Sequence, residues 1–228
     1  MSRAPILDPR SVPVLAVDRH LPPVPGERLT AAALRRRFEQ PPVWQPELLG
    51  DGVRLGDRVP TAAAVLLPLV DRIDGLYLLL TRRTDHLRHH AGQISLPGGK
   101  VEAGDADAAA TALREAEEEI GLSSSHIELL GSLPTYTTVT SFEVTPVVAL
   151  VQAGAELRLQ EGEVAEAFEV PLRFLMTPAH HHRHRFEFAG GERQFLSMPW
   201  AGPDGQRDDF IWGATAAILR NFYRFLSA

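Results

Sequence analysis

Residues 96–122, LPGGKVEAGDADAAATALREAEEEIGL, combine a loop, an amphipathic helix and a second loop in one short stretch. The Pro-Gly-Gly sequence at 97–99 indicates a tight loop, because proline and glycine interrupt regular structure. A helix is predicted over about 106–120, and either Asp105 or Asp107 can cap its N-terminus. This pattern predicts a loop–helix–loop unit whose helix packs one side against a core.

The predicted helix separates apolar side chains from a cluster of carboxylates. At about 100° per residue, Glu115, Glu118 and Glu119 share one arc, and Glu117 points away from them. The apolar arc, which we expect to face the core, holds Ala109, Ala112, Leu113, Ala116 and Ile120. Carboxylates at this spacing repel one another. They indicate either a solvated acidic face, the simpler interpretation of this helix alone, or a site for a hard divalent cation that prefers oxygen ligands.

Several strands are predicted outside this unit. The apolar runs 62–70 and 75–81 flank a turn sequence, DRIDG, and predict a β-hairpin. Further strands are predicted at LPTYTTV, residues 133–139, and at FEVTPVVALV, residues 142–151. A second hairpin is predicted around Gly190 and Gly191.

A second helix is predicted over about 210–226. Its apolar residues lie roughly on one face: Ile211, Ala214, Ile218, Phe222 and Phe225. Because helices and strands do not alternate as regular βαβ units, the predicted fold class is α+β, or a layered α/β/α sandwich.

The first 58 residues differ in composition from the rest of the chain. Ten of the 18 prolines lie within the first 60 residues, so we expect mostly extended or looped backbone there. One helix, AAALRRRFEQ, is predicted after Thr30 as its cap. We therefore predict a proline-rich extension over 1–58 that packs on a main domain over 59–228.

The composition excludes several classes of protein. A net charge of −6 argues against binding nucleic acid or an anionic membrane through bulk charge. The absence of cysteine removes disulfides, thiol nucleophiles and thiolate metal sites. The proline-interrupted N-terminus lacks the apolar stretch of a signal peptide, and no apolar run is long enough to span a membrane. We expect a cytoplasmic protein without nucleic-acid or membrane partners.

The segment 96–122 resembles the Nudix box, the loop–helix–loop motif of the Nudix hydrolases. In that family a glycine and a spaced acidic residue precede Arg-Glu-aliphatic-x-Glu-Glu-x-Gly-aliphatic. The matching positions here are Gly99, Asp105, Arg114, Glu115, Glu118, Glu119, Gly121 and Leu122. There are two departures. The spacing from Asp105 to Arg114 is one residue longer than in the general pattern, and Ala116 stands where a larger aliphatic residue is usual.

Residues 79–99 resemble the motif that precedes the box in the coenzyme A (CoA) pyrophosphatases of this family. The matching positions are Leu79, Leu80, Thr81, Arg83, Arg88, Gly92 and Pro97 to Gly99. Thr84 stands where that motif has serine, and Leu96 where it usually has phenylalanine. The CoA subgroup also has the longer spacing between the acidic residue and the arginine, and the sequence Arg-Glu-Ala-Glu-Glu-Glu within the box. The resemblance therefore extends over residues 79–122.

The resemblance implies a Nudix-type α/β/α sandwich with a mixed sheet. The implied activity is hydrolysis of the pyrophosphate bond of CoA or acyl-CoA to 3′,5′-ADP and (acyl-)4′-phosphopantetheine, with Mg²⁺ or Mn²⁺ as cofactor. A homodimer is an implied assembly. The alternatives are a Nudix hydrolase of ADP-ribose, dinucleotides or nucleoside triphosphates, and a Nudix-fold binding module without catalysis.

The resemblance also assigns roles to residues. Glu115, Glu118 and Glu119 match metal ligands, and Glu118 and Glu119 are catalytic candidates. Arg114 lies one turn before Glu118 and can orient it, although an ordinary surface ion pair is the alternative. Glu163 is the candidate general base. Glu166 is its rival, and both acids could equally be exposed loop residues.

Four residues are candidates for binding the substrate. Arg83 and Arg88 can grip phosphate with paired donors, and the neighbouring Arg82 could replace Arg83. Gly98 and Gly99 allow a tight backbone turn beside the metal-binding helix.

Two further features favour structural explanations. The histidine run 180–184 fits no compact zinc pattern, so we interpret it as a polar strand or loop leading into the second hairpin. Trp200 and Trp212 could stack on adenine, but packing in the core is the more common use of tryptophan.

Overall fold

The computed structural model describes residues 8–52, 59–86, 91–188 and 191–228. Within these residues, two β-sheets are flanked by α-helices. Arg88, one of the predicted phosphate-binding residues, and Gly190, at the predicted hairpin turn, lie outside the described residues.

The larger sheet is mixed and carries the functional region. Its strands are β2 (Thr61–Arg72), β3 (Gly75–Arg83), β4 (Ile94–Ser95), β5 (Gly98–Lys100), β6 (Ile127–Ser132), β7 (Tyr136–Thr137), β8 (Phe142–Val151) and β9 (Val164–Pro171). Strands β2 and β8 pair in parallel, and the other pairs are antiparallel. One edge of β2 pairs with β3 at residues 69–72 and with β5 at 63–65. This change of partner brings the Gly-Gly sequence of β5 into the sheet.

The smaller sheet is antiparallel, with the strand order β1-β10-β11-β12. It comprises β1 (Val14–Val17), β10 (His182–Phe188), β11 (Gly191–Trp200) and β12 (Asp209–Trp212). Strands β10 and β11 form the second predicted hairpin.

The α-helices are α1 (Ala31–Glu39), α2 (Ala108–Ile120), α3 (Leu172–Leu175) and α4 (Gly213–Ser227). Short 3₁₀ turns lie at Pro9–Ser11, Gly26–Arg28, Ser124–His126 and Pro178–His180. Thr30 caps α1 by accepting a hydrogen bond from the Ala33 amide at 3.2 Å. Asp107 caps α2 by accepting from the Ala110 amide at 2.8 Å, and Gly121 ends α2 in the left-handed conformation.

Each face of the large sheet is covered by helix. Helix α2 packs Ala112, Ala116 and Ile120 against one face, which also contributes Ala64 and Leu79 to that core. On the other face, residues of α4 and of the N-terminal segment, including Val24, Leu29 and Leu34, join a second core. The predicted α+β class and layered arrangement with a mixed sheet are therefore confirmed.

Three details of the predicted elements are wrong. The strand expected at 133–139 is paired only at Tyr136–Thr137, because the chain turns back at 138–141, where Ser141 adopts a φ of 63°. The second helix begins at Gly213, since Ile211 belongs to β12 and pairs with Met198. In α2, Leu113 is only half-buried, while the polar Thr111 and Glu119 are buried.

Among the described residues, no helix combines the length and apolar character needed to cross a membrane.

Candidate active site

Two glycines of β5 allow the carboxylates of α2 to reach the sheet. The Gly98 amide donates a hydrogen bond to Glu119 Oε2 at 3.2 Å. A Cβ atom at Gly99 would lie 2.2 Å from Glu115 Oε1, so the Glu115 carboxylate would have to move to accommodate it. A Cβ atom at Gly98 would lie 2.4 Å from the carbonyl oxygen of Ala64, and its φ of 156° also favours glycine. The predicted close turn beside the helix therefore has a direct steric basis.

Glu119 is the most deeply buried carboxylate of α2, with a side chain 6% exposed. Burial raises the pKa of Glu119 to about 7, because the charged form loses its hydration. The Gly98 amide and Arg83 oppose this rise, while repulsion from Glu115 and Glu163 adds to it. Glu119 is therefore a carboxylate that can exchange a proton near neutral pH.

The other carboxylates of α2 lie at different depths. Glu115 is half-buried, and burial raises its pKa. Glu118 is exposed, with 55% of its side chain accessible, and Glu117 is exposed on the side turned away from the cluster. The three carboxylates predicted to share one arc therefore differ in burial, from Glu119 in the core to Glu118 in solvent.

Arg114 connects the loop to the carboxylates. Its guanidinium donates two hydrogen bonds to Asp105, at 3.1 Å each, and its Nη1 donates at 3.1 Å to both Glu115 and Glu118. It also donates to the Lys100 carbonyl at 3.0 Å. Arg114 therefore makes more contacts than the single surface ion pair with Glu118 that was its alternative interpretation.

Asp105 anchors Arg114 and leaves the capping of α2 to Asp107. The Asp105 carboxylate also accepts from the Thr111 hydroxyl at 2.8 Å and from the Glu102 amide at 2.9 Å. The hydrogen bonds from Arg114 hold the pKa of Asp105 well below its usual range. Asp105 is therefore a charged anchor across the accessible pH range.

A divalent cation fits the donor set, although the ligands are not yet gathered. No group of three metal-binding side chains is already close enough to hold an ion within the part of the chain that the structure describes. Arg114 Nη1 hydrogen-bonds both Glu115 and Glu118 and so links those two carboxylates. However, Glu119 and Glu115 are carboxylates with raised pKa values that lie close enough to repel each other. A cation would relieve that repulsion, and oxygen ligands are those that Mg²⁺ and Mn²⁺ prefer.

The structure separates two arginines that the sequence left equivalent. Successive side chains of a strand point to opposite faces, so Arg83 shares the α2 side of β3 with Leu79, while Arg82 shares the other side with Leu80. Arg83 Nη1 lies 3.8 Å from Glu119 Oε1. Its Nε is buried and has no hydrogen-bond partner among the residues that the structure describes. Arg83 therefore has donor capacity left for a ligand.

The two candidate bases are also separated. Glu163, just before β9, is close enough to Glu115 and Glu119 for repulsion to raise the pKa of both. Glu166 lies on the opposite side of the sheet, where it is paired with Arg82 and Arg207. Only Glu163 lies beside the carboxylates of α2.

Lys100 is a candidate that sequence reasoning missed. It follows Gly99 directly and is the only lysine of the chain. Its ammonium lies 5.8 Å from the centre of the Phe142 ring and forms no ion pair within the described residues. A single lysine among 23 basic residues, placed directly after the Gly-Gly sequence, was the signal that could have identified it.

The histidine run and the tryptophans lie in packed regions. His181 and His184 are buried. The ring nitrogens of His181 contact Arg220 and the Leu175 carbonyl. Those of His184 contact the Ser197 hydroxyl and the Val12 carbonyl. Trp200 packs against Phe174, and Trp212 against Phe195. These contacts favour the structural interpretation of both features.

Comparison with known proteins places the chain in a family. The profile described as the NUDIX domain matches residues 58–189, more than half of the chain. Proteins named "Uncharacterized Nudix hydrolase NudL" are 42% identical over 161 residues in Yersinia enterocolitica and 40% identical over 166 residues in Yersinia pestis. These alignments cover 69% and 72% of this chain, and 77% and 79% of the relatives. The chain belongs to the Nudix family, and the prediction of a pyrophosphohydrolase is confirmed at that level.

The solved structures that resemble this chain include a MutT/nudix family protein from Enterococcus faecalis. It superposes with a TM-score of 0.45 at 16% identity, covering 87% of this chain and 75% of that chain. A likeness this loose carries no information about the substrate.

Proposed function

We propose that the protein hydrolyses the pyrophosphate bond of CoA or acyl-CoA, using Mg²⁺ or Mn²⁺. The observation that carries the proposal is the position of Arg83. This residue belongs to the motif shared with the CoA pyrophosphatases. Its guanidinium faces Glu119, and its buried Nε has no hydrogen-bond partner within the described part of the chain. The motif and the box therefore meet at one place, as expected if the first binds the substrate that the second cleaves.

The charges of the site suit a polyanionic substrate held through its phosphates. The carboxylates of α2 repel a bare diphosphate, so binding needs cationic groups on the substrate side. Arg83 supplies a planar donor group that can contact two oxygens of the phosphates at the adenosine end of the substrate. Lys100 adds a second, more mobile positive charge next to Gly99.

Hydrolysis adds water across the phosphorus–oxygen–phosphorus bridge. The water oxygen bonds to one phosphorus, and the bridging oxygen leaves with the bond's electron pair on the other phosphate. Glu163 is the proposed base that accepts the water proton, and Arg114 holds Glu115 and Glu118 in place. A divalent cation held by Glu115, Glu118 and Glu119 would neutralise charge that develops on the phosphate oxygens and lower the pKa of bound water.

Mass-spectrometric product analysis tests this proposal. CoA, ADP-ribose and NADH are incubated in parallel with the protein and Mg²⁺ or Mn²⁺. We expect metal-dependent 3′,5′-ADP and 4′-phosphopantetheine, formed faster than the products of the other two substrates. Intact CoA beside cleaved ADP-ribose or NADH would leave the Nudix chemistry standing and remove the CoA assignment.

The role of Arg83 has its own test. Arg83→Met should raise the KM for CoA more than the KM for ADP-ribose, because only CoA carries a 3′-phosphate. Arg72→Met is the matched control, since Arg72 is an exposed arginine of the neighbouring strand that pairs with Glu169. Equal losses for the two substrates would argue against a specific contact with the adenosine end of CoA.

A further inference from the structure

Behind the candidate site, on the side of the large sheet opposite α2, four charged side chains surround one aromatic ring. We call Arg82, Glu166, Arg207 and Asp209, together with Phe168, the rear cluster. Asp209 begins β12, and Arg207 lies in the loop that precedes it. The rear cluster therefore ties the loop between β11 and β12 to strands β3 and β9.

The contacts within the rear cluster are close and mutually satisfied. Asp209 is almost completely buried and accepts hydrogen bonds from Arg82 Nη2 and Arg207 Nε. Glu166 accepts from Arg207 Nη2 at 2.8 Å and from Arg82 Nε at 3.4 Å. The guanidinium carbons of Arg207 and Arg82 lie 4.5 and 5.9 Å from the centre of the Phe168 ring. Two positive and two negative groups thus hold one another in fixed positions.

The rear cluster lies at an irregularity in the pairing of β3 with β9. Arg82 pairs with Glu166, but the next residue, Arg83, pairs with Val164, so that Ala165 has no pairing partner in β3. Such a bulge changes the direction in which neighbouring side chains point. Here it lies directly between the rear cluster and the site, because Arg83 follows Arg82 and Glu163 precedes Val164.

The backbone next to the bulge is fixed from both sides. The Arg83 amide donates to the Gln93 carbonyl at 3.0 Å, and the Thr84 amide donates to the Glu163 carbonyl at 3.0 Å. Arg82 directly precedes this segment, and Glu166 and Asp209 hold its side chain on the opposite side of the sheet.

We propose that the rear cluster fixes the bulge and thereby orients Arg83 toward the phosphate-binding side, so that Arg207 and Asp209 are positioning residues for the reaction. Within the described residues they form no hydrogen bond with Arg83 or with the carboxylates of α2, and they act through Arg82 and the strand register. This inference rests on the proposed phosphate-binding role of Arg83.

A double-mutant cycle between Arg207 and Arg83 tests the inference on the full chain. Arg207→Met keeps a long apolar side chain beside Phe168 and removes the guanidinium, with its charge and hydrogen bonds. It should raise KM at least fivefold with kcat changed less than twofold. In the Arg83→Met background the same substitution should leave KM unchanged, because the residue being oriented is already gone. An equal rise in both backgrounds would overturn the inference, as would a silent Arg207→Met or a silent Arg83→Met.

Two controls separate positioning from loss of stability. Arg72→Met removes an arginine–glutamate pair that ties β2 to the far end of β9, and it should not change KM. Thermal unfolding of each variant shows whether the fold is kept. If Arg207→Met does not fold, Arg207→Lys, which keeps the charge but cannot span both carboxylates, enters the same cycle with an expected KM rise of at least twofold.

The substrate assignment and this inference fail separately. The cycle is measured with CoA and with ADP-ribose, and in parallel as the affinity for 3′,5′-ADP by calorimetry, which needs no turnover. Loss of CoA cleavage with the coupling still present would remove only the CoA proposal. Additive effects in every readout would remove the positioning role.

Discussion

Glu117, Glu118 and Glu119 are neighbours in sequence but differ in their surroundings. Glu119 accepts a hydrogen bond from the Gly98 amide, whereas Glu118 is exposed and accepts one from Arg114. The side chain of Glu117 is exposed to solvent. Glu119→Gln and Glu118→Gln should each lower kcat at least a hundredfold, because each would remove a charged oxygen ligand of the proposed cation. Glu117→Gln should stay within twofold. Steady-state rates with saturating Mg²⁺ check this order, and similar rates for all three variants would contradict the metal-binding assignment.

The raised pKa of Glu119 predicts a pH dependence of stability in the absence of metal. In the folded protein the pKa of Glu119 is about 7, above the usual glutamate value of 4.5, so the stabilising contribution is present below pH 4.5 and is lost as pH rises through 7. In EDTA the free energy of unfolding of the wild type should fall by roughly 2–3 kcal/mol relative to that of Glu119→Gln between pH 4.5 and 8.

Urea unfolding at several pH values measures that difference, and Glu117→Gln is the control. Saturating Mg²⁺ at pH 8 should restore stability to the wild type and have less effect on Glu119→Gln, because binding to the folded state stabilises it. A difference between wild type and Glu119→Gln that does not change with pH would show that Glu119 titrates normally.

At this scale the helical period predicts the grouping of side chains but not their depth. The period groups the three carboxylates on one arc, whereas the burial of Glu119 depends on strand β5, whose Gly98 amide donates a hydrogen bond to it. Arg82 and Arg83 could not be told apart, because strand alternation assigns faces only once one residue of the strand is known to be in the core.

At the scale of elements, the closeness of β5 to α2 makes Gly99 a sensitive position. Gly99→Ala should displace the Glu115 carboxylate, since the added Cβ atom would lie 2.2 Å from Glu115 Oε1. Activity should fall at least tenfold while the protein stays folded. Gly104→Ala is the matched control in the same loop, because a Cβ atom there meets nothing within 4 Å. Comparison of kcat and circular dichroism checks both variants, and equal activities would argue against the steric role of Gly99.

The elements predicted correctly are those with local signals. Helices α1 and α2 begin after the capping residues Thr30 and Asp107, and the hairpin of β2 and β3 follows from two apolar runs and a turn. The strand at 133–139 failed because Thr138 closes a turn instead of extending the ladder, accepting a hydrogen bond from the Phe142 amide at 3.0 Å. Side-chain capping of that kind competes with β-pairing and cannot be weighed without the tertiary partners.

At the scale of the molecule, a buried charge network joins the N-terminal segment to the rest of the fold. Glu47 accepts hydrogen bonds from Arg183 at 2.6 Å, Arg220 at 2.8 Å and Arg224 at 2.6 Å. Asp18 accepts two more from Arg183, at 2.7 Å each. The partners of Glu47 are 136 to 177 residues away in sequence. No local pattern could have predicted these contacts.

His181 is part of this network in its neutral form. Its Nδ1 accepts from Arg220 Nη1 at 3.0 Å, so its Nε2 carries the proton and donates to the Leu175 carbonyl at 2.7 Å. Burial lowers the pKa of His181 to about 4. Its stabilising contribution is therefore present above pH 6.5 and is lost as pH falls through 4.

Removing the central carboxylate should destabilise the whole chain. Glu47→Gln leaves the buried Arg220 without its main charge partner, and we expect a loss of about 3 kcal/mol. Glu128→Gln, which breaks the exposed pair with Arg35, should cost less than about 1 kcal/mol. Although burial opposes it, hydrogen bonding to the arginines lowers the pKa of Glu47 to about 2, so its contribution is present above pH 4.5 and is lost as pH falls through 2. In urea unfolding, the difference in free energy of unfolding between wild type and Glu47→Gln should be constant above pH 5 and should shrink toward pH 2. A difference unchanged at pH 2 would mean that the charge of Glu47 does not hold the N-terminal segment in place.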